Sequence, residues 1–269
     1  MSRASRKDIV ANGIETVKDL ADSFISKSYR GRVVFKAEPT TEQKVTLEGI
    51  CPTKALLSIE NKMMGLDNGK CIMCGYCSEA VSKTIEISSK PAIPTKTRNQ
   101  MIDYSNQQFL PTEKSYEQIG NELKEKIQTI FGRSLAIRQV DAGSCNGCEI
   151  EIAALNNPIY DIERFGIHFV ASPRHADVLL VTGPASRNME IALLRTYEAT
   201  PQPKIVIAVG ACACSGGIFG DTYATTGGID KIIPVDIYIP GCPPRPQVLI
   251  YGLLLAINKK LDNVGNGEK

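Results

Sequence analysis

Lys204-Ile-Val-Ile-Ala-Val-Gly-Ala-Cys212 is a short, continuously apolar run that ends on glycine and delivers a cysteine. A β-branched run of this length with no polar alternation reads as a strand buried on both faces, as in a parallel sheet. Reading outward, Met189–Glu198 has helical spacing, Asp177–Thr182 and Gly166–Ser172 read as strands, Glu149–Leu155 as the start of a helix, and Ala136–Asp141 as a strand. Beyond the run, Val235–Ile239 is another strand and Gln247–Lys259 a last helix. Strands alternating with helices from residue 134 onward predict an α/β fold, a parallel sheet with helices on both faces. Such sheets hold ligands at the carboxyl ends of their strands. Cys145 and Cys148 follow the first strand, Cys212 follows Val209-Gly-Ala, and Cys242 follows Ile239-Pro-Gly, so three strand ends point cysteines at one crevice.

The bulk composition is that of a globular chain: 269 residues, 43% apolar, 22% charged, net charge +2 and no Trp. Mixed charge and few aromatics argue against a nucleic-acid surface. The longest apolar run, near Val248–Ile257, is far short of the ~20 residues of a membrane span. Met1–Lys7 carries basic residues with no apolar stretch after it, so we expect no secretory signal and a cytoplasmic location. Nine cysteines there are not expected to pair as disulfides. They are bunched at short intervals, which points to metal ligation.

Towards the N-terminus, residues 5–28 show helical spacing, Tyr29–Phe35 reads as a strand, and residues 41–89 carry the first cysteines among turn residues. The polar, Pro-containing stretch Lys90–Thr112 reads as a linker, and Ser115 offers an N-cap to a helix that runs to about Phe131. The expected organisation is an N-terminal helix over 1–29, a small α+β domain over 30–100, a linker and helix over 101–133, and the α/β domain over 134–269.

Cys71-Ile-Met-Cys74-Gly-Tyr-Cys77 has the spacing of a bacterial ferredoxin run, whose fourth cysteine, followed by proline, ligates the other cluster in two-cluster ferredoxins. Here Val81 stands where that fourth cysteine would fall, while upstream Cys51-Pro52 is a lone Cys-Pro whose own leading positions are Leu47, Lys44 and Thr41. One ligand set survives, Cys51 with Cys71, Cys74 and Cys77, and we expect it to hold one 4Fe–4S cluster in a ferredoxin-like domain. The competing reading is zinc, which also accepts cysteines two residues apart.

The second group consists of Gly143-Ser-Cys145-Asn-Gly-Cys148-Glu-Ile-Glu151, Gly210-Ala-Cys212-Ala-Cys214-Ser-Gly and Pro240-Gly-Cys242-Pro-Pro-Arg245. Its pairs lie farther apart than the roughly 15–20 residues of a compact zinc ribbon. From Ile137 onward these strings, with Ser172-Pro-Arg-His-Ala-Asp177, closely resemble the small subunit of nickel–iron hydrogenases and the related 20 kDa subunit of respiratory complex I. The resemblance implies a flavodoxin-like fold with a proximal 4Fe–4S cluster on Cys145, Cys148, Cys212 and Cys242. It implies electron transfer to a large partner subunit that carries the nickel–iron centre, with no catalytic residue in this chain. Further iron–sulfur and membrane subunits, and a ferredoxin or redox subunit as electron donor, are expected with it. The complex I version has adjacent cysteines at the first ligand position, whereas Cys145 and Cys148 keep the hydrogenase spacing. Secreted uptake hydrogenases add an export signal and a long cluster-binding C-terminal region, and neither is read here. The expectation is therefore the energy-converting, membrane-associated group, peripheral on the inner face of the membrane. An equivalent subunit of a quinone or sulfur reductase is the nearest alternative, and a zinc-stapled scaffold the alternative of another class.

Either Cys212 or Cys214 could complete the second set. Cys212 is assigned because it stands where the chain first enters the crevice and at the family's ligand position. Glu151 matches an acidic position beside the cluster in the complex I relatives, a resemblance that allows a charge-sensing or proton-linked role, with an ordinary capping or ion-pair role the alternative of at least equal weight. His168 and His175, the only two histidines, lie outside both groups.

Overall fold

The computed structural model describes residues 29–59, 63–105 and 116–265. The helix expected over 5–28 and the cap expected at Ser115 lie outside them. The N-terminal unit pairs β1 (Val33–Phe35) antiparallel with a later strand and then enters α1 (Thr41–Ile50). Thr40 and Gln43 start α1 with a reciprocal cap: the Thr40 hydroxyl accepts from the Gln43 amide at 3.3 Å, and Gln43 Oε1 accepts from the Thr40 amide at 2.9 Å. β2 (Leu56–Ile59) and β3 (Met63–Asp67) form an antiparallel pair, α2 (Tyr76–Ala80) follows, and β4 (Ile85–Ile87) is the partner of β1. Leu47, Met64, Leu66 and Ile85 fill the space between these elements, with Cys71 and Cys77 buried among them.

The described part of the stretch expected as a linker, residues 90–105, is not free chain. The Thr95 amide and carbonyl exchange 2.9 Å hydrogen bonds with Tyr238, and β5 (Ile102–Tyr104) adds to β3 as the third strand of its sheet. Pro91, Pro94 and the polar residues gave the linker signal, but Met101, 1% exposed, packs into the larger domain's core beside Val140 and Tyr238 and so draws the segment down.

α3 (Tyr116–Phe131) leads into the parallel sheet. Its strands are β6 (Leu135–Asp141), β7 (Ile167–Phe169), β8 (Val178–Thr182), β9 (Ile205–Val209) and β10 (Ile237–Ile239), in spatial order β10-β9-β8-β6-β7. Renumbered within the domain this is 2-1-3-4-5, the flavodoxin-like order, as expected. Between the strands run α4 (Gly147–Ala154), α5 (Arg187–Ala199) and α6 (Gly210–Ser215), and α7 (Pro246–Gly265) closes the sheet. The period-2 alternation of a strand explains the two helical layers. Val178 and Leu180 of β8 and Ile205 and Ile207 of β9 face α3 and α7, whose Leu123, Ile127, Leu249 and Leu253 meet them. Leu179, Val181, Val206 and Ala208 face the other way, onto Leu193 of α5 and Ala213 and Cys214 of α6. No helix among the described residues is long and apolar enough to cross a membrane.

Candidate metal centres

The first cysteine group is assembled by three local turns. Cys51 is the C-cap of α1, and its sulfur accepts from the Ala55 amide at 3.2 Å. Asp67 shapes the approach to Cys71: its Oδ1 accepts from Gly69 N at 3.0 Å and its carbonyl accepts from the amide of Cys71 at 3.1 Å. Between Cys71 and Cys77 the chain turns through two left-handed residues, Met73 (φ 56°) and Gly75 (φ 91°), and the Arg30 guanidinium donates to the Cys74 carbonyl at the middle of the loop. Cys51, Cys71, Cys74 and Cys77 thus line one small hollow, walled by Val33, Leu56 and Leu66. Burial first, then the neighbouring thiols, pushes Cys71 up to about 12 and Cys77 up to about 11. Iron would have to displace those protons, as it does at any thiolate site.

The second group is assembled by sheet topology. After β6, Asp141 Oδ1 accepts from the amides of Gly143 and Ser144 at 2.8 and 2.7 Å, and Asn146 (φ 68°) turns the chain so that Cys145 and Cys148 flank the start of α4. Cys212 comes from α6 beyond β9 and Cys242 from the loop beyond β10, the two loops joined by Ala211 N to Gly241 O at 2.8 Å. Backbone without side chains makes room for the sulfurs: a Cβ on Gly210 would stand 2.6 Å from Cys148 Sγ, and one on Gly217 would stand 2.9 Å from Cys212 Sγ. Both glycines also hold positive φ, 84° and 56°. Burial raises the thiols of Cys148, Cys212 and Cys242, and Cys148 also feels Glu149, Cys212, Cys242 and Cys145. Cys214 faces away. Fully buried in the sheet, its sulfur lies 3.6 Å from the Ile239 carbonyl and 3.8 Å from that of Ala208.

The expected ligands are therefore gathered in two sets of four, and each set offers only thiols, the donors a cubane cluster uses. Among the described residues no three of His, Cys, Asp and Glu converge closely enough for a single metal ion.

Two further carboxylates border the second set. The Thr182 hydroxyl donates to Glu149 Oε1, while Glu149 Oε2 is buried without a partner. Burial raises the Glu151 carboxyl, and Arg245 opposes that shift. Glu151, Tyr29, Met73, Cys242 and Arg245 line a cavity of about 360 Å³ that reaches from the first cysteine loop to the second. The Arg245 guanidinium lies 4.8 Å from the centre of the Tyr29 ring. Sequence reasoning missed Glu149, Tyr29 and Asp67. Only Asp67 had a local signal, the turn-forming Asp-Asn-Gly before Lys70-Cys71.

Fold and sites together define an α/β redox-type subunit with thiols at the strand ends of a flavodoxin-like sheet. Residues 145–256 match the family described as NADH ubiquinone oxidoreductase, 20 Kd subunit, and the chain belongs to it. Formate hydrogenlyase subunit 7 of Escherichia coli (strain K12) is 50% identical over 149 residues, 54% of this chain and 58% of that protein. The probable membrane-bound hydrogenase subunit mbhJ of Pyrococcus furiosus is 52% identical over 129 residues, 48% of this chain and 77% of that one. An NADH-quinone oxidoreductase subunit of Citrifermentans bemidjiense is 50% identical over 119 residues, 44% of this chain and 67% of its own length. Cys51 to Cys77 lie outside the span of the family match.

Proposed function

We propose that the chain is an electron-transfer subunit of a multi-subunit nickel–iron hydrogenase complex, with one 4Fe–4S cluster on Cys51, Cys71, Cys74 and Cys77 and another on Cys145, Cys148, Cys212 and Cys242. The observation that carries the reading is the gathering of four thiols from three strand ends in a chain that is 50% and 52% identical, over 54% and 48% of its length, to two hydrogenase-complex subunits. When bound, the clusters supply one-electron carriage at low potential. The chain's own residues hold the sulfurs, bury Cys71 and Cys77, half-bury Cys148, and leave Cys145 and Cys242 exposed toward a partner. Ile150, two residues past Cys148, and Ile218, next to the Gly217 that abuts Cys212, are both exposed and fit an apolar interface with a large nickel–iron subunit. Membrane attachment on the inner face comes through partner subunits, and electrons enter from a ferredoxin or redox subunit.

A second reading, the equivalent subunit of a quinone or sulfur reductase, is favoured by the likeness to the NADH-quinone oxidoreductase relative. Nickel in the co-purified large subunit separates the two. Anaerobic metal analysis tests the cluster assignment: about eight irons per chain are expected from two cubes, and stoichiometric zinc with little iron would replace the reading with a structural scaffold.

A further inference from the structure

The two cysteine groups belong to different sheets, yet the turn leading into one is bonded to the helix that carries a member of the other. Asp67 ends β3 and folds the turn to Cys71, its carbonyl accepting from the amides of Lys70 and Cys71. Arg98, on the segment between the two units, grips that carboxylate with both terminal nitrogens, 2.8 Å to Oδ1 and 2.6 Å to Oδ2. Its third nitrogen, Nε, donates to the carbonyl of Cys214 at 3.1 Å, two residues past Cys212 in α6. The next residue of that helix answers the contact, since Ser215 Oγ donates to the Gly69 carbonyl at 2.7 Å. The turn is pinned from its own side as well, by Asn68 Nδ2 donating to the Met101 carbonyl at 3.0 Å and to Asp103 Oδ2 at 2.7 Å.

The chemistry of this contact differs from that of the apolar contact beside it. Burial of Met101 holds the two units together but is non-directional, so it tolerates sliding. A guanidinium presents its donors in a rigid plane, and a bidentate carboxylate on one edge with a carbonyl on the Nε fixes angle as well as distance. The pair is largely out of water, with the Asp67 side chain 7% exposed and that of Arg98 24%. Each end is tied to a cysteine by only a few residues of hydrogen-bonded backbone.

We infer that Arg98 is a positioning residue: by joining Asp67 to the Cys214 carbonyl it sets the separation and orientation of the Cys51/71/74/77 and Cys145/148/212/242 groups. That this separation matters for electron passage rests on the two-cluster reading above; that Arg98 sets it does not.

The experiment uses the full chain in its complex, unaltered and as Arg98→Gln, Arg98→Lys and Ser215→Ala. Iron per chain should be equal in all four. The magnetic interaction between the two reduced centres should weaken several-fold and broaden in Arg98→Gln. It should also weaken in Arg98→Lys, which keeps the charge and loses the fork, and less in Ser215→Ala. Amide exchange supplies an iron-independent measurement. Arg98→Gln should accelerate exchange at Lys70–Cys71 and at Gly216 together, leaving the β6 and β8 amides protected. Should Arg98→Gln not fold, the lysine and Ser215 variants read the same quantities. An interaction and exchange pattern equal to the unaltered protein, or exchange raised uniformly across both sheets, overturns the inference and leaves Arg98 a general stabiliser. Iron below two clusters in the unaltered chain sinks the functional reading instead, while the exchange pattern still decides the role of Arg98.

Discussion

At the residue scale, Cys212 and Cys214 separate most sharply. They are two positions apart in α6, yet Cys212 shares its environment with Cys145 and Cys242 whereas Cys214 sits with Asp67, Arg98 and Asp230 beneath the sheet. Cys212→Ala should remove about half of the iron, one cube of two. Cys214→Ala should leave the iron unchanged, and an exchange of the two phenotypes would show that the loop's register is wrong by two. The residues alone left both cysteines open. Only the position just past the strand and the family resemblance favoured Cys212, and the direction of a side chain in a single helical turn cannot be read from such a short string. Glu149 illustrates a different limit. Its unpartnered Oε2 and its contact with Thr182 depend on β8 lying beside β6, a pairing that no local pattern around Glu149 encodes.

At the scale of elements, the parallel sheet was legible because its strands are buried on both faces and therefore apolar throughout. β6, β8 and β9 fall within a residue of their expected bounds. The edge strands β7 and β10 are shorter than expected, each having a single neighbour to define its length. The first half of the chain was less legible: α1, β2 and β3 were hidden in a stretch read mainly for its cysteines, although Thr40-Thr-Glu-Gln43 carried a capping-box signal. α3 yields a quantitative expectation. Leu123 is fully buried against the sheet, so Leu123→Ala should lower stability by about 2–5 kcal/mol. Because α3 contributes no cysteine, iron per folded chain should stay constant, as denaturant titration and metal analysis together would reveal. A loss of iron from the protein that remains folded would mean that α3 shapes the second site directly.

At the scale of the whole molecule, the second set leaves Cys145 and Cys242 exposed, and Ile150, two residues past Cys148, is a large apolar side chain left 63% exposed. We expect the chain to be isolated with a large subunit across an apolar interface of more than roughly 2,000 Å², the size of permanent contacts. Hydrogen evolution should require that partner, and an isolated, monomeric and active chain would count against it. Topology also imposes an order in time on the two cysteine groups. Cys51 to Cys77 lie in one contiguous stretch that leaves the ribosome early, while the second group needs β6, β9 and the loop after β10, so Cys145 waits for almost the whole sheet to be translated before Cys242 can join it. Chains stalled before β10 would therefore carry a finished first thiol set beside three of the four thiols of the second, which only the loop after β10 completes.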